Sequence, residues 1–223
     1  MTTCDRHAAP RPVAQAGFTL IELIVVLAVL GIVVGTAVPL AGAVVQADRR
    51  QEAKQELDAI AEALSSYWFQ RAAFPASLTA TDFLGVHLLP GVNGTAAEDP
   101  FGAGQGYIYA VSAAGVASVH SRGENGVDDG VASEELVVRV DRAVPGTKKT
   151  WMRLRLVVEV LANHIETGGS VAGTWPVVRA ACGLPASFDA DGFGTTLQWT
   201  AATHTLLSAG ADRAFGTADD ITL

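Results

Sequence analysis

Two stretches of the sequence gather oxygen-bearing side chains among glycines. SRGENGVDDG runs from Ser121 to Gly130, and SAGADRAFGTADDI runs from Ser208 to Ile221. Asp, Asn and Ser offer hard oxygen donors, and glycine permits the dihedrals that turn carbonyls inward. Calcium takes about six to eight such oxygens, so cation binding is the chemistry these loops suit. Neither is an EF-hand, because the spacing differs and no Glu closes the loop at the twelfth position. The adjacent carboxylates Asp128 and Asp129 suit ion coordination better than acid–base work, because they sit in a glycine-rich loop.

Other chemistry is poorly represented. The sequence holds no HExxH, no G-x-S-x-G and no P-loop. His87, His120, His164 and His204 are scattered, and Cys182 lacks a flanking nucleophile motif. Gly102, Gly104 and Gly106 form a GxGxG that leads into a strand, whereas a dinucleotide site needs strand, glycines and then helix. No enzymatic activity is expected.

Composition narrows the classes further. Hydrophobic residues make up 49% of the 223 residues and charged ones 17%, which excludes a disordered chain. Lys and Arg number 15 against 23 Asp and Glu, a net charge of -8. Phosphate neutralisation needs clustered cations, so no nucleic-acid partner is expected. Two cysteines, Cys4 and Cys182, exclude a disulfide scaffold and a multi-thiolate metal site.

Charge is absent from Leu23 to Val45, LIVVLAVLGIVVGTAVPLAGAVV. As a helix this run would rise roughly 35 Å, enough to cross a hydrocarbon core. A buried core helix would be shorter and less uniformly apolar. A secretory signal would place its small residues after the apolar run, whereas Ala14-Gln15-Ala16-Gly17 precede it. Glu22 stands at the start of the run, where a lone carboxylate needs a partner. The span continues into an amphipathic stretch in which Ala53, Leu57, Ile60, Ala61, Leu64 and Trp68 recur at helical steps. One helix is therefore expected from Phe18 to about Gln70, stopped by Phe74-Pro75.

Gly17-Phe18-Thr19-Leu20-Ile21-Glu22-Leu23 resembles the prepilin peptidase site of type IV pilins and type II secretion pseudopilins. The resemblance implies cleavage after Gly17 and N-methylation of Phe18. It also implies an assembly role for Glu22, pairing with the N-terminal amine of a neighbouring subunit. Pro39 falls where that family often kinks its helix. The leader departs from the shortest leaders in length, and its Arg6 and Arg11 stand away from the cut. Cleavage would remove Cys4 and leave Cys182 unpaired. The second acidic loop resembles the calcium-binding loop of the type II secretion major pseudopilin. On that resemblance its ligands would be Ser208, Asp212, Asp219 and Asp220. The first loop matches through Ser121, Asn125, Asp128 and Asp129, but it is shorter and has Asn where the second has Asp.

Beyond the long helix the chain repeats itself. Asp99-Pro100-Phe101-Gly102 returns as Asp191-Gly192-Phe193-Gly194. Ser121-x-Gly123-x-Asn125 returns as Ser208-x-Gly210-x-Asp212, and Asp128-Asp129 as Asp219-Asp220. Phe74-Pro75 has a looser echo in Trp175-Pro176. A hairpin is predicted over 107–111 and 115–119, with a second over 195–200 and 203–207. Leu136 to Val140 reads as a further strand. Trp151 to Ile165 fits strand alternation and helical spacing alike, and its place in the repeat favours helix.

The expected fold class is α+β: a long transmembrane, filament-core helix followed by two small antiparallel-sheet domains of pseudopilin type. The expected divisions are a leader over 1–17 and a helix over 18–70, with its membrane span at 23–45. A first β domain follows over 71–142, a linker over 143–150 and a second α+β repeat over 151–223. The resemblance implies a major pseudopilin of type II protein secretion, in the inner membrane with its bulk periplasmic, assembling into a pseudopilus. The alternatives are a type IV pilus subunit for adhesion, motility or DNA uptake, or a membrane-anchored binding module that caps a filament. Implied partners are prepilin peptidase, identical or homologous pilin subunits, and an inner-membrane assembly platform with its ATPase. Calcium is the implied cofactor.

Overall fold

A computed structural model describes residues 19–89, 97–130 and 136–222, with the side chains of 36–41 outside that description. The chain divides into two compact units, one ending at Ala47 and the other running from Asp48 to Leu223.

Helix α1 spans Leu20–Arg71, two residues inside the predicted start and one beyond the predicted end. Its described apolar side chains in the first unit are exposed, Leu20 at 77% and Ile32 at 69%. The expected membrane span at 23–45 is not borne out. Among the described residues no helix is long and apolar enough to cross a membrane. The transmembrane, filament-core character of the fold class is therefore corrected, and with it the inner-membrane localisation. The readings that rested on that anchor are corrected too: pseudopilus subunit, type IV pilus subunit and filament-capping module.

The rest of the fold class is an α+β arrangement with two small antiparallel sheets. In the second unit, α1 turns Leu57, Ile60 and Leu64 inward at helical spacing. They pack on Phe83 and on a meander of β1 (Ile108–Val111), β2 (Val116–His120) and β3 (Val137–Asp141). Strand β2 is central and buries Ala117 and Val119 completely.

Helix α2 (Ala143–Glu166) repeats this arrangement. Leu154, Val157 and Leu161 carry the same spacing as Leu57, Ile60 and Leu64. They pack with Trp175 and Val178 of the short helix α3 (Trp175–Ala181). The second meander is β4 (Gln198–Thr200), β5 (Thr205–Ser208) and β6 (Ile221–Thr222). Registers agree between the copies: Ile108 pairs with His120 as Gln198 pairs with Leu207. His120 then pairs with Val137 as Leu207 pairs with Thr222.

The expected linker at 143–150 is instead the opening of α2. Asp141 receives the Ala143 N–H at 2.8 Å, satisfying an otherwise orphaned donor. Pro145 falls in the first turn, where its missing N–H costs nothing. Gly146 is required by packing, since a Cβ there would lie 2.1 Å from the Phe193 ring. Lys149 donates to the Gln70 carbonyl at 3.2 Å, setting a cation at the C-terminal end of α1.

Candidate functional site

Gly17 and Phe18 lie outside the described residues. The helix they precede starts with a local device. The Glu22 N–H reaches the Thr19 carbonyl at 3.1 Å and the Thr19 hydroxyl at 3.4 Å. Thr19 and Glu22 have the S/T-x-x-E spacing of a capping box, a signal present in the sequence but not read there. The Glu22 carboxylate also stands in the first turn, where it offsets the positive end of the helix dipole.

Two buried aspartates organise the repeated modules. Asp99 is 3% exposed and Asp191 is 1% exposed. Asp99 accepts the Ser121 hydroxyl at 2.7 Å, the Phe101 N–H at 3.1 Å and the Arg122 N–H at 2.6 Å. Asp191 accepts the Ser208 hydroxyl at 2.7 Å, the Phe193 N–H at 2.9 Å and the Thr195 N–H at 2.8 Å. Each serine oxygen in turn accepts a glycine N–H, from Gly123 at 3.1 Å and Gly210 at 3.2 Å. Ser121 and Ser208 are thus spent on anchoring each loop to its Asp-x-Phe-Gly turn. The sequence marked these residues as repeats but gave no sign of their contact.

In the second loop the three carboxylates brace the backbone. Asp219 takes the Asp212 N–H at 2.9 Å and the Thr217 hydroxyl at 2.7 Å. The Thr217 hydroxyl, then the Asp212 amide, hold the Asp219 carboxyl below its ordinary range. Asp212 takes the Ala214 N–H at 2.8 Å, and Asp220 takes the Gly216 N–H at 2.8 Å. The other Asp220 oxygen, Oδ1, is buried without a hydrogen-bond partner. Gly210, at φ 66°, lets the strand leave past Asp219, whose carbonyl would lie 2.3 Å from any Cβ there.

The first loop is wired differently. The Asn125 amide donates to Asp129 at 2.6 Å, and Asn125 receives the Val127 N–H at 2.8 Å. Asp128 lies 3.3 Å from the buried His120 ring, and that contact, then the Gly130 N–H, lowers its pKa. Among the described residues, no three His, Cys, Asp or Glu side chains gather as they would around a metal ion. The donor chemistry of the second loop fits a hard cation, and its orphaned Asp220 oxygen is the atom such an ion would satisfy. The first loop offers no such atom among its described side chains.

The remaining singled-out residues have structural surroundings. His87 contacts Ser66 at 3.1 Å, His164 contacts the Ser170 carbonyl at 3.2 Å, and His204 stacks on Trp199. Cys182 is a free thiol, half-buried, with its pKa raised by burial. Gly102 closes a turn by donating to the Asp99 carbonyl at 2.8 Å.

Residues 13–38 match the prokaryotic N-terminal methylation motif, which is typical of type IV pilin-like and pseudopilin-like proteins. No curated protein and no solved structure matches the chain.

Proposed function

We propose that this chain is a pilin-like substrate of prepilin peptidase, cleaved after Gly17 and N-methylated on Phe18. The methylation motif over residues 13–38 carries this reading, because it contains Gly17, Phe18 and Glu22 in the processing order. The capped helix start at Thr19 supports it: a cut after Gly17 would release the chain two residues ahead of an already defined first turn. The finer kinship we infer is with the type II secretion major pseudopilin, its C-terminal module present twice. The matching registers of the two meanders and the paired Asp–Ser anchors support the repetition of the module. We assign the chain no reaction of its own.

We further propose that the second loop binds calcium through Asp212, Asp219 and Asp220. The partnerless Asp220 oxygen supports this assignment. Calcium would supply positive charge to a loop with little apolar content, and this chain's part is to hold the carboxylates on braced backbone.

Intact mass and N-terminal sequencing of the chain from peptidase-proficient and peptidase-deficient cells test the processing. A chain beginning at methylated Phe18 only in proficient cells is expected. A chain beginning at Met1 in both overturns the reading.

A further inference from the structure

Helix α2 buries one face and exposes the other. Leu154, Val157 and Leu161 pack into the second core. On the opposite side Trp151 is 49% exposed and Met152 55%, with Leu156 and Val158 exposed beside them. Large apolar side chains grouped on a charged helix face mark a contact surface. The chain is described without a break from Leu136 to Thr222, so the segments before and after α2 all have their places, and they leave this face exposed.

The charges on this face are ordered. Lys148, Met152, Arg155, Glu159, Ala162 and Glu166 recur at alternating steps of four and three residues, so they line one stripe of the helix. All six are exposed. The stripe rises about 27 Å from first to last. Cations occupy its first half and carboxylates its second. Among the described residues none of these four charged groups has an ion-pair partner. Arg155 and Glu159 stand four apart with the cation on the N-terminal side, the weaker of the two orders. The ends are also set against the helix dipole. The first turn of α2 holds no acidic residue, and Glu166 is its last residue. A carboxylate at the C-terminal end opposes the dipole.

A second copy of the same stripe, run antiparallel, answers each of these features. Turning the stripe end for end about the level of Val157 exchanges Lys148 with Glu166, Met152 with Ala162 and Arg155 with Glu159. Both cations then meet carboxylates, and twofold symmetry makes each pairing occur twice. The same turn sets each Glu166 toward the positive end of the other helix. Shape follows charge. A hollow of about 450 Å³ is lined by Lys148, Trp151, Met152 and Arg155. Glu166, Asn163, Ala162 and Glu159 fall opposite these four, so the small Ala162 meets the large Met152. A parallel copy would set Lys148 on Lys148 and Glu166 on Glu166. An anionic lipid surface would meet both carboxylates along with both cations.

We infer that two copies of this chain pair through α2 as an antiparallel, twofold dimer. Lys148 bridges to Glu166 of the other copy and Arg155 to its Glu159. Met152 seats over Ala162, and Trp151 and Leu156 close the two flanks. A single helix pair lies toward the low end of specific interfaces, about 1,200 Å², so the dimer is weak and depends on concentration. The inference stands on the second unit and depends neither on cleavage at Gly17 nor on calcium.

Disulfide capture in the full chain tests it, in a background of Cys4→Ser and Cys182→Ser. With Met152→Cys and Ala162→Cys together, mild oxidation at about 100 µM protein is expected to give a covalent dimer. Either substitution alone should give at least about five-fold less, because like positions on the two copies would lie about 15 Å apart along the axis, beyond disulfide reach. Adding Arg155→Glu to the doubly substituted chain should cut the yield about five- to ten-fold, and so should Glu159→Arg, since each sets like charges opposite one another. Mixing chains that carry these two changes, or combining both changes in one chain, should restore the yield. All four positions are exposed, so the variants are expected to fold as the parent does. Equal capture with one cysteine or two, no capture with both, or a yield indifferent to charge reversal overturns the inference. So does a yield that stays low after the two charges are exchanged.

Discussion

Ser208 donates its hydroxyl hydrogen to Asp191 at 2.7 Å inside the second module, with the serine fully buried and the aspartate 1% exposed. The first module repeats the contact, Ser121 to Asp99, also at 2.7 Å. Each bond ties the loop after the middle strand to the turn before the first strand, so one polar contact closes each meander. Removing Ser208 leaves a carboxylate oxygen buried with no donor, and such an oxygen costs more than the lost bond. Ser208→Ala is expected to destabilise the chain by about 2 kcal/mol. Asp191→Asn paired with Ser208→Ala in a double-mutant cycle should show coupling of about 1 kcal/mol or more, read from urea midpoints. Additivity of the two changes would mean that the contact does not close the module.

Glycine supplies a sharper geometric test. At Gly192 an added Cβ would stand 2.1 Å from the Gly146 carbonyl and 2.8 Å from the Thr150 hydroxyl. The first obstacle is backbone, which cannot swing aside. Gly192→Ala is therefore expected to cost about 3 kcal/mol. Gly31 is the control, because an added Cβ there meets nothing within 4 Å. Gly31→Ala should be neutral or stabilise its helix by up to about 1 kcal/mol. Thermal melts of the two variants would separate packing from propensity.

The same glycines show where the sequence could and could not be read. Matching Asp-x-Phe-Gly and Ser-x-Gly segments flank the two antiparallel meanders, because turns of the same backbone shape demand the same residues. Pro145 and Gly146 misled the reading toward a linker. Both are helix breakers by propensity, yet position excuses the proline and the Phe193 ring requires the glycine. Ser121 and Ser208 looked like ion ligands because residue type is visible in a sequence and a partner 22 or 17 residues away is not. Thr19 and Glu22 could have been recognised as a capping box from spacing alone. The apolar run from Leu23 suggested a span by composition, whereas no described helix meets the length and apolarity that crossing requires.

A pH dependence follows from the pair that joins α1 to the first sheet. Tyr107 donates to Glu56 at 2.6 Å. Burial raises the Glu56 pKa above 4.5, and the Tyr107 bond pulls it part of the way back. A raised folded-state value means that the folded chain holds this proton more tightly than the unfolded chain. The Glu56 contribution is fully present below about 4.5, its unfolded value, and is lost as pH rises through the folded value. Tyr107→Phe removes the donor that favours the charged carboxylate, so its penalty should grow with pH. Denaturation at pH 4 and pH 7 is expected to show the larger loss at pH 7, about 1 kcal/mol for a part-exposed bond to a charge. An equal loss at both values would mean that Glu56 does not feel the phenol.

Calcium should act on the second loop as a ligand that prefers the folded state. The free energy of binding then adds to stability in proportion to the logarithm of the ion concentration over its dissociation constant. At a hundred-fold excess over that constant the gain is about 2.7 kcal/mol, several degrees of melting temperature. The full chain is expected to melt higher in calcium than in chelator. Asp220→Asn keeps the size of the side chain but weakens the charge that would face the ion. Much of the calcium-dependent shift should disappear in this variant, while its melting temperature in chelator stays close to that of the parent. Asp128→Asn in the first loop should leave the shift intact, because that carboxylate is already engaged by His120. An undiminished shift in Asp220→Asn would take the second loop out of the calcium reading. Loss of the shift in Asp128→Asn alone would move the site to the first loop.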